Sequence, residues 1–115
     1  RQPIREAVAH VAAQRAPQDR VLGIGIADDV VQWYALAFDV PVEPTGIGGE
    51  RLPETLARTH ARWIVALYPN HRHPNASAAR LHELGFRRRP LHGFQGWLDG
   101  GEGTVEVWER APDSP

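Results

Sequence analysis

Six polar residues on three stretches of this chain are where chemistry could gather: Asp28, Asp29, Glu43, Asn70, His71 and His73. Carboxylates and imidazoles ligate metals, take up protons and hold the hydroxyls of sugars and riboses. Asn70-His71-Arg72-His73-Pro74-Asn75 is the most polar loop. If that segment is extended, His71 and His73 point the same way, as two metal ligands would, with Asp28 or Asp29 as a third. The plainer account is a solvated loop leading into an Asn cap, and no metal and no cofactor are expected.

Gly23-Ile24-Gly25, with Glu43 twenty residues beyond Gly23, matches part of a dinucleotide-binding fingerprint. The third glycine of that fingerprint would fall at Asp28, and carboxylates at 28 and 29 would repel a pyrophosphate at a helix N-terminus. A tight turn followed by a helix cap accounts for the same residues. S-adenosylmethionine, which has no phosphate chain, would avoid the repulsion, with Glu43 holding its ribose. Against a complete methyltransferase, 115 residues leave little chain for a substrate pocket. No nucleophile stands out: there is no Cys, and the two serines, Ser77 and Ser114, lie at a helix start and in the tail. No catalytic residue is expected, and His10, His60, His82 and His92 read as surface or helix-face residues.

Composition narrows the classes further. A formal charge of -1 removes the broad attraction that non-specific nucleic-acid binding needs, so no nucleic-acid partner is expected. All thirteen basic residues are Arg. Zero Cys excludes disulfides and thiolate metal sites and leaves the redox compartment open. No apolar run is long enough to span a bilayer. The chain has no Met and begins at Arg1, which leads to the expectation of a single domain, residues 1–115, excised from a larger protein.

The elements that must position these residues alternate in type. Ile4, Val8, Val11 and Ala12 form one apolar stripe, predicting a helix over 3–15 that ends at Ala16-Pro17-Gln18-Asp19. Residues 21–25 read as a buried strand. A helix capped by Asp28 or Asp29 follows, carrying Val30, Val31, Tyr34, Ala35 and Phe38. Residues 40–43 read as a short edge strand and 44–50 as a glycine-rich loop. Pro53 opens a short helix with Leu56, Ala57 and His60, and 63–68 is the strongest strand, apolar throughout. Asn75 is the expected cap of a helix with Ala78, Leu81 and Leu84 inward, stopped by Gly85. Residues 89–98 and 104–110 read as a hairpin.

This order predicts an α/β fold: a three-layer Rossmann-like domain with a mostly parallel sheet and a C-terminal antiparallel hairpin. Strand one is expected between strands two and three, with the hairpin beyond strand three. In such a sheet ligands bind outside the carboxyl ends of the strands, which is where the six polar residues converge.

Trp33, Trp63, Trp97 and Trp108 are a large aromatic load for this length. Core packing and hairpin contacts account for tryptophans of this kind, while an outward Trp33 with Trp97 or Trp108 would make a docking or sugar-stacking surface. Arg87-Arg88-Arg89 reads as a solvated strand start, or beside a membrane as a contact for anionic headgroups.

Five segments taken together carry a family resemblance: "APQDRVLGIG", "DDVVQWYALAFD", "ARWIVALYP", "LHELGF" and "GTVEVWER". Over about residues 4–110 the chain resembles the C-terminal soluble domain of bacterial membrane-bound GT-C glycosyltransferases, the group related to protein mannosyltransferases and aminoarabinose transferases. In that family the catalytic acids sit on loops between transmembrane helices, the donor is a polyprenyl-phosphate-linked sugar, and the soluble tail is extracytoplasmic. None of those acids maps onto a position here. The resemblance therefore implies a non-catalytic accessory domain on the periplasmic face of the inner membrane. Its implied partners are the transmembrane part of its own chain and a sugar or glycan acceptor. The rival reading is a free-standing small-molecule-binding or methyltransferase-type domain using Gly23, Gly25 and Glu43.

Overall fold

A computed structural model of the chain describes residues 4–25, 38–67, 72–89 and 105–111. Helix α1 (Ile4–Gln14) forms where the apolar stripe is, and buries Ala7, Val8 and Val11. It ends in a turn tied by side chains. Arg15 Nη2 donates to Pro17 O and Asp19 O at 3.0 and 2.9 Å, and Asp19 Oδ2 accepts from Ala16 N at 2.9 Å. The same carboxylate accepts from Trp63 Nε1 at 3.3 Å, which fixes the entry to β1 (Val21–Ile24) against the neighbouring strand.

Strand β2 (Val42–Pro44) follows, then α2 (Leu52–Thr59) and β3 (Trp63–Leu67). A 3-10 turn (Pro74–Ala76) leads into α3 (Ala78–Glu83), β4 (Phe86–Arg89) and β5 (Val105–Arg110). The cap of α3 is Ser77, whose side chain accepts from Arg80 N, and not Asn75, which lies within the 3-10 turn. Gly85 is at φ 94, the left-handed backbone expected where that helix stops.

The five strands form one sheet in the order β2-β1-β3-β5-β4. Strand β1 lies between β2 and β3 and pairs with both in parallel, Val21 facing Val42 on one side and Trp63 on the other. Strand β5 is antiparallel to both β3 and β4. The expected mostly parallel, three-layer Rossmann-like domain is therefore corrected. This is a small mixed sheet with two parallel and two antiparallel pairs, accompanied by three helices among the described residues.

Burial explains why the hairpin lands this way round. Residues Val105 through Glu109 are all buried, so β5 belongs inside the sheet, whereas β4 carries one apolar residue and three arginines and takes the edge. That insertion gives β3 an antiparallel neighbour where a Rossmann-like sheet would continue in parallel. The pairing begins at Phe86, so Arg87, Arg88 and Arg89 lie within a strand, earlier than the expected start at residue 89.

Alternation along the strands builds two cores. Val21, Val42, Trp63, Val65, Val105 and Val107 pack with α1 on one face. Leu22, Ile24, Ile64, Ala66 and Trp108 pack with Leu52 and Leu56 of α2, Leu81 of α3, and Phe86 on the other. Trp63 and Trp108 are core residues, 1% and 2% exposed. Trp33 and Trp97 lie outside the described residues, as do the predicted helix after Asp28 and the segment 90–98 of the predicted hairpin.

Candidate functional site

The carboxyl ends of β1 and β2 meet at a turn over residues 45–50, and the turn satisfies most of its own polar groups. Thr45 donates to Gly23 O from its main-chain N at 2.9 Å and from Oγ1 at 2.7 Å, while Gly25 N donates to Gly46 O at 3.1 Å. These bonds occupy Gly25 N–H, a main-chain donor that a nucleotide phosphate would seek at this place in the sheet. Gly49, at φ +80, packs so closely that a Cβ there would come within 2.7 Å of Ala76 Cβ and 3.1 Å of Ile24 Cγ2. The glycine is thus required both by backbone conformation and by space.

Two titratable residues, Glu50 and His73, lie at this turn. His73 N donates to Gly48 O at 2.8 Å, which brings the loop before the 3-10 turn onto the glycine turn. Glu50 Oε2 accepts from Gly48 N at 3.0 Å. Main-chain N–H groups of Glu50 itself and of Gly48 hold the Glu50 carboxyl below the ordinary glutamate value, against a smaller desolvation effect, with Arg51 and His73 adding weaker pulls. His73 Nδ1 accepts from Asn75 N at 3.1 Å, so in the neutral ring the proton sits on Nε2.

Of the six residues singled out by the sequence, His73 is at this turn. Glu43 is not: it lies along β2, paired with Leu22 of β1, and its carboxylate is held by Arg20 at 3.4 Å and by Arg58 at the end of α2. It lines a separate depression of ≈ 380 Å³ beside α2, shared with Arg51, Glu54 and Arg58. Asp28, Asp29, Asn70 and His71 lie outside the described residues. Among the described residues no three of His, Cys, Asp and Glu come together as metal ligands.

Sequence reasoning passed over Thr45 and Glu50. The available signal was a carboxylate directly after the Gly48-Gly49 pair, where short-range main-chain N–H groups are most accessible.

The buried acids of the sheet, Glu106 and Glu109, are engaged by arginines. Glu106 pairs with Arg72 and, at 3.9 Å, with Arg88, and Glu109 accepts from Arg62 at 3.1 Å and from Arg89 Nε at 2.6 Å. The buried threonines turn inward too: Thr55 Oγ1 donates to Arg51 O and Thr59 Oγ1 to Thr55 O, each at 2.7 Å. Among the described residues no helix is long and apolar enough to cross a membrane. No family model matches the chain, and no curated protein or solved structure is significantly similar to it.

Proposed function

We propose that this chain is a non-catalytic accessory domain of a polyprenyl-phosphate-sugar-dependent membrane glycosyltransferase, acting on the extracytoplasmic side in acceptor recognition or assembly of the enzyme. One observation carries the non-catalytic half of the reading. Glu43, Glu106 and Glu109 are each shared between two arginines, and the buried threonine hydroxyls donate to main-chain carbonyls, so these groups are spent on holding the fold. These carboxylates are committed to ion pairs that tie the strands together, and a threonine hydroxyl that donates to a main-chain carbonyl has no basic partner to take up its proton. The membrane half of the reading rests on the family resemblance of residues 4–110.

The open reading frame that encodes Arg1 is the first test. It should encode many hydrophobic spans upstream, and a short soluble parent would overturn the proposal. Deletion of residues 1–115 from that parent should leave the donor sugar bound by the membrane part while acceptor transfer or enzyme assembly falls. Full activity without the domain would count against the accessory role.

A further inference from the structure

Between α2 and α3, on the side of the sheet away from α1, lies a groove of ≈ 300 Å³ with the buried Leu56 and half-buried Leu84 on its apolar floor, lined also by Pro53, His60, Arg80 and Arg110. Its volume is at the lower end of the range for small-molecule sites. The charged side chains that line it, Arg80 and Arg110, are both cationic. Arg110 has no carboxylate within ion-pair distance among the described residues, and Arg80 holds only the exposed Glu83 at 3.2 Å. Burial, and then the charge of Arg62, pull Arg110 below the usual guanidinium value, though it stays charged at neutral pH.

Arg110 is also held in place before any ligand arrives. Its guanidinium carbon stands 4.7 Å from the centroid of the Phe86 ring, and Nε and Nη2 both donate to Ala61 O, at 3.2 and 3.0 Å. A guanidinium has five N–H donors, so the two bonds to Ala61 leave three. A rigid cation with spare donors loses little entropy on capturing an oxyanion. His60, which closes α2, sits at φ 53 in the left-handed region, an uncommon conformation for a non-glycine residue.

We propose that this groove binds a small organic anion with an apolar body, of the medium-chain carboxylate class. The carboxylate meets Arg110 and Arg80, and the hydrocarbon covers Leu56 and Leu84. Charge complementarity selects the head group, and the apolar floor selects the body over a bare inorganic anion, which would leave that floor wet. The site is distinct from the glycine turn and does not depend on the chain belonging to a glycosyltransferase.

The test is titration of the chain with octanoate, octan-1-ol and inorganic phosphate, followed by backbone amide shifts. Octanoate should give saturable shifts at Leu56, His60, Leu84 and Arg110, and should bind at least about tenfold more tightly than octan-1-ol, because charged hydrogen bonds are lost with the alcohol. Arg110→Gln should weaken octanoate by a similar factor. Since Arg110 also stacks on Phe86, Arg80→Gln, at a side chain 46% exposed, supplies a variant that keeps the fold and should weaken octanoate too. Equal binding of octan-1-ol and octanoate, phosphate binding as tightly as octanoate, or no saturable shift at these residues would overturn the proposal.

Discussion

Arg72 and Glu106, thirty-four residues apart, form an ion pair with side chains only 4% and 7% exposed. Arg72 Nη1 also donates to Ala76 O at 3.2 Å, and Trp108 Nε1 donates to Glu106 Oε1 at 2.9 Å. The pair therefore fastens the segment that carries His73 onto the interior strand β5. Removing one member strands a buried charge, so Glu106→Gln should destabilise the chain by about 3–5 kcal/mol in urea unfolding. The double change Glu106→Gln with Arg72→Met should recover most of that loss, because no unpaired charge is then buried and the Gln carbonyl still accepts from Trp108 Nε1. A single-variant cost below about 1 kcal/mol would mean that water reaches the pair.

The cap of α3 separates two neighbouring residues. Ser77 Oγ accepts from Arg80 N at 3.2 Å, whereas Asn75 takes part only through its main-chain N, which donates to His73 Nδ1 at 3.1 Å. Ser77→Ala should cost about 1 kcal/mol. Asn75→Ala should stay within about 0.5 kcal/mol, as surface substitutions do. Thermal unfolding of both variants decides it, and the reverse order would restore Asn75 as the cap.

Gly49→Ala tests the packing of the glycine turn. The added methyl would meet Ala76 Cβ at 2.7 Å on a backbone at φ +80, so a loss of about 1–3 kcal/mol is expected. Ala76→Gly in the same chain should return the steric part and leave the backbone part, giving a measurable coupling in a double-mutant cycle. Strict additivity would show that the two sites do not touch.

Glu50 should titrate below the ordinary glutamate value of 4.5, because main-chain N–H groups stabilise its charged form. A lowered folded value means that its contribution is present above the unfolded value and is lost as the pH falls through the folded one. The Gly48 amide should therefore shift in a carboxylate titration with a midpoint below 4.5, and Glu50→Gln should abolish that response. A midpoint at or above the ordinary value would show that the carboxylate is not held by the turn.

Local residue order determined the elements. The apolar stripe of α1 and the unbroken run of β3 are periodicities of neighbouring residues, and Gly85 stops α3 through its own backbone freedom. The position of β1 between β2 and β3 was legible as well, because short crossovers leave few arrangements. What only the tertiary structure decided is which strand of the hairpin lies against β3. Glu106 and Glu109 are charged residues that the sequence alone gives no reason to bury, yet they are buried because Arg72, Arg62 and Arg89 come to them from 20 to 47 residues away. With their charges met, β5 takes an interior place and the sheet becomes mixed. The same reason separates the polar residues of the candidate site. Spacing placed Glu43 with His73, but arginines at 20 and 58 hold Glu43 beside α2, while Gly48 of the glycine turn donates to Glu50 and accepts from His73 N. A carboxylate's partner depends on which cation the folded chain carries to it, and no local pattern in the sequence encodes that.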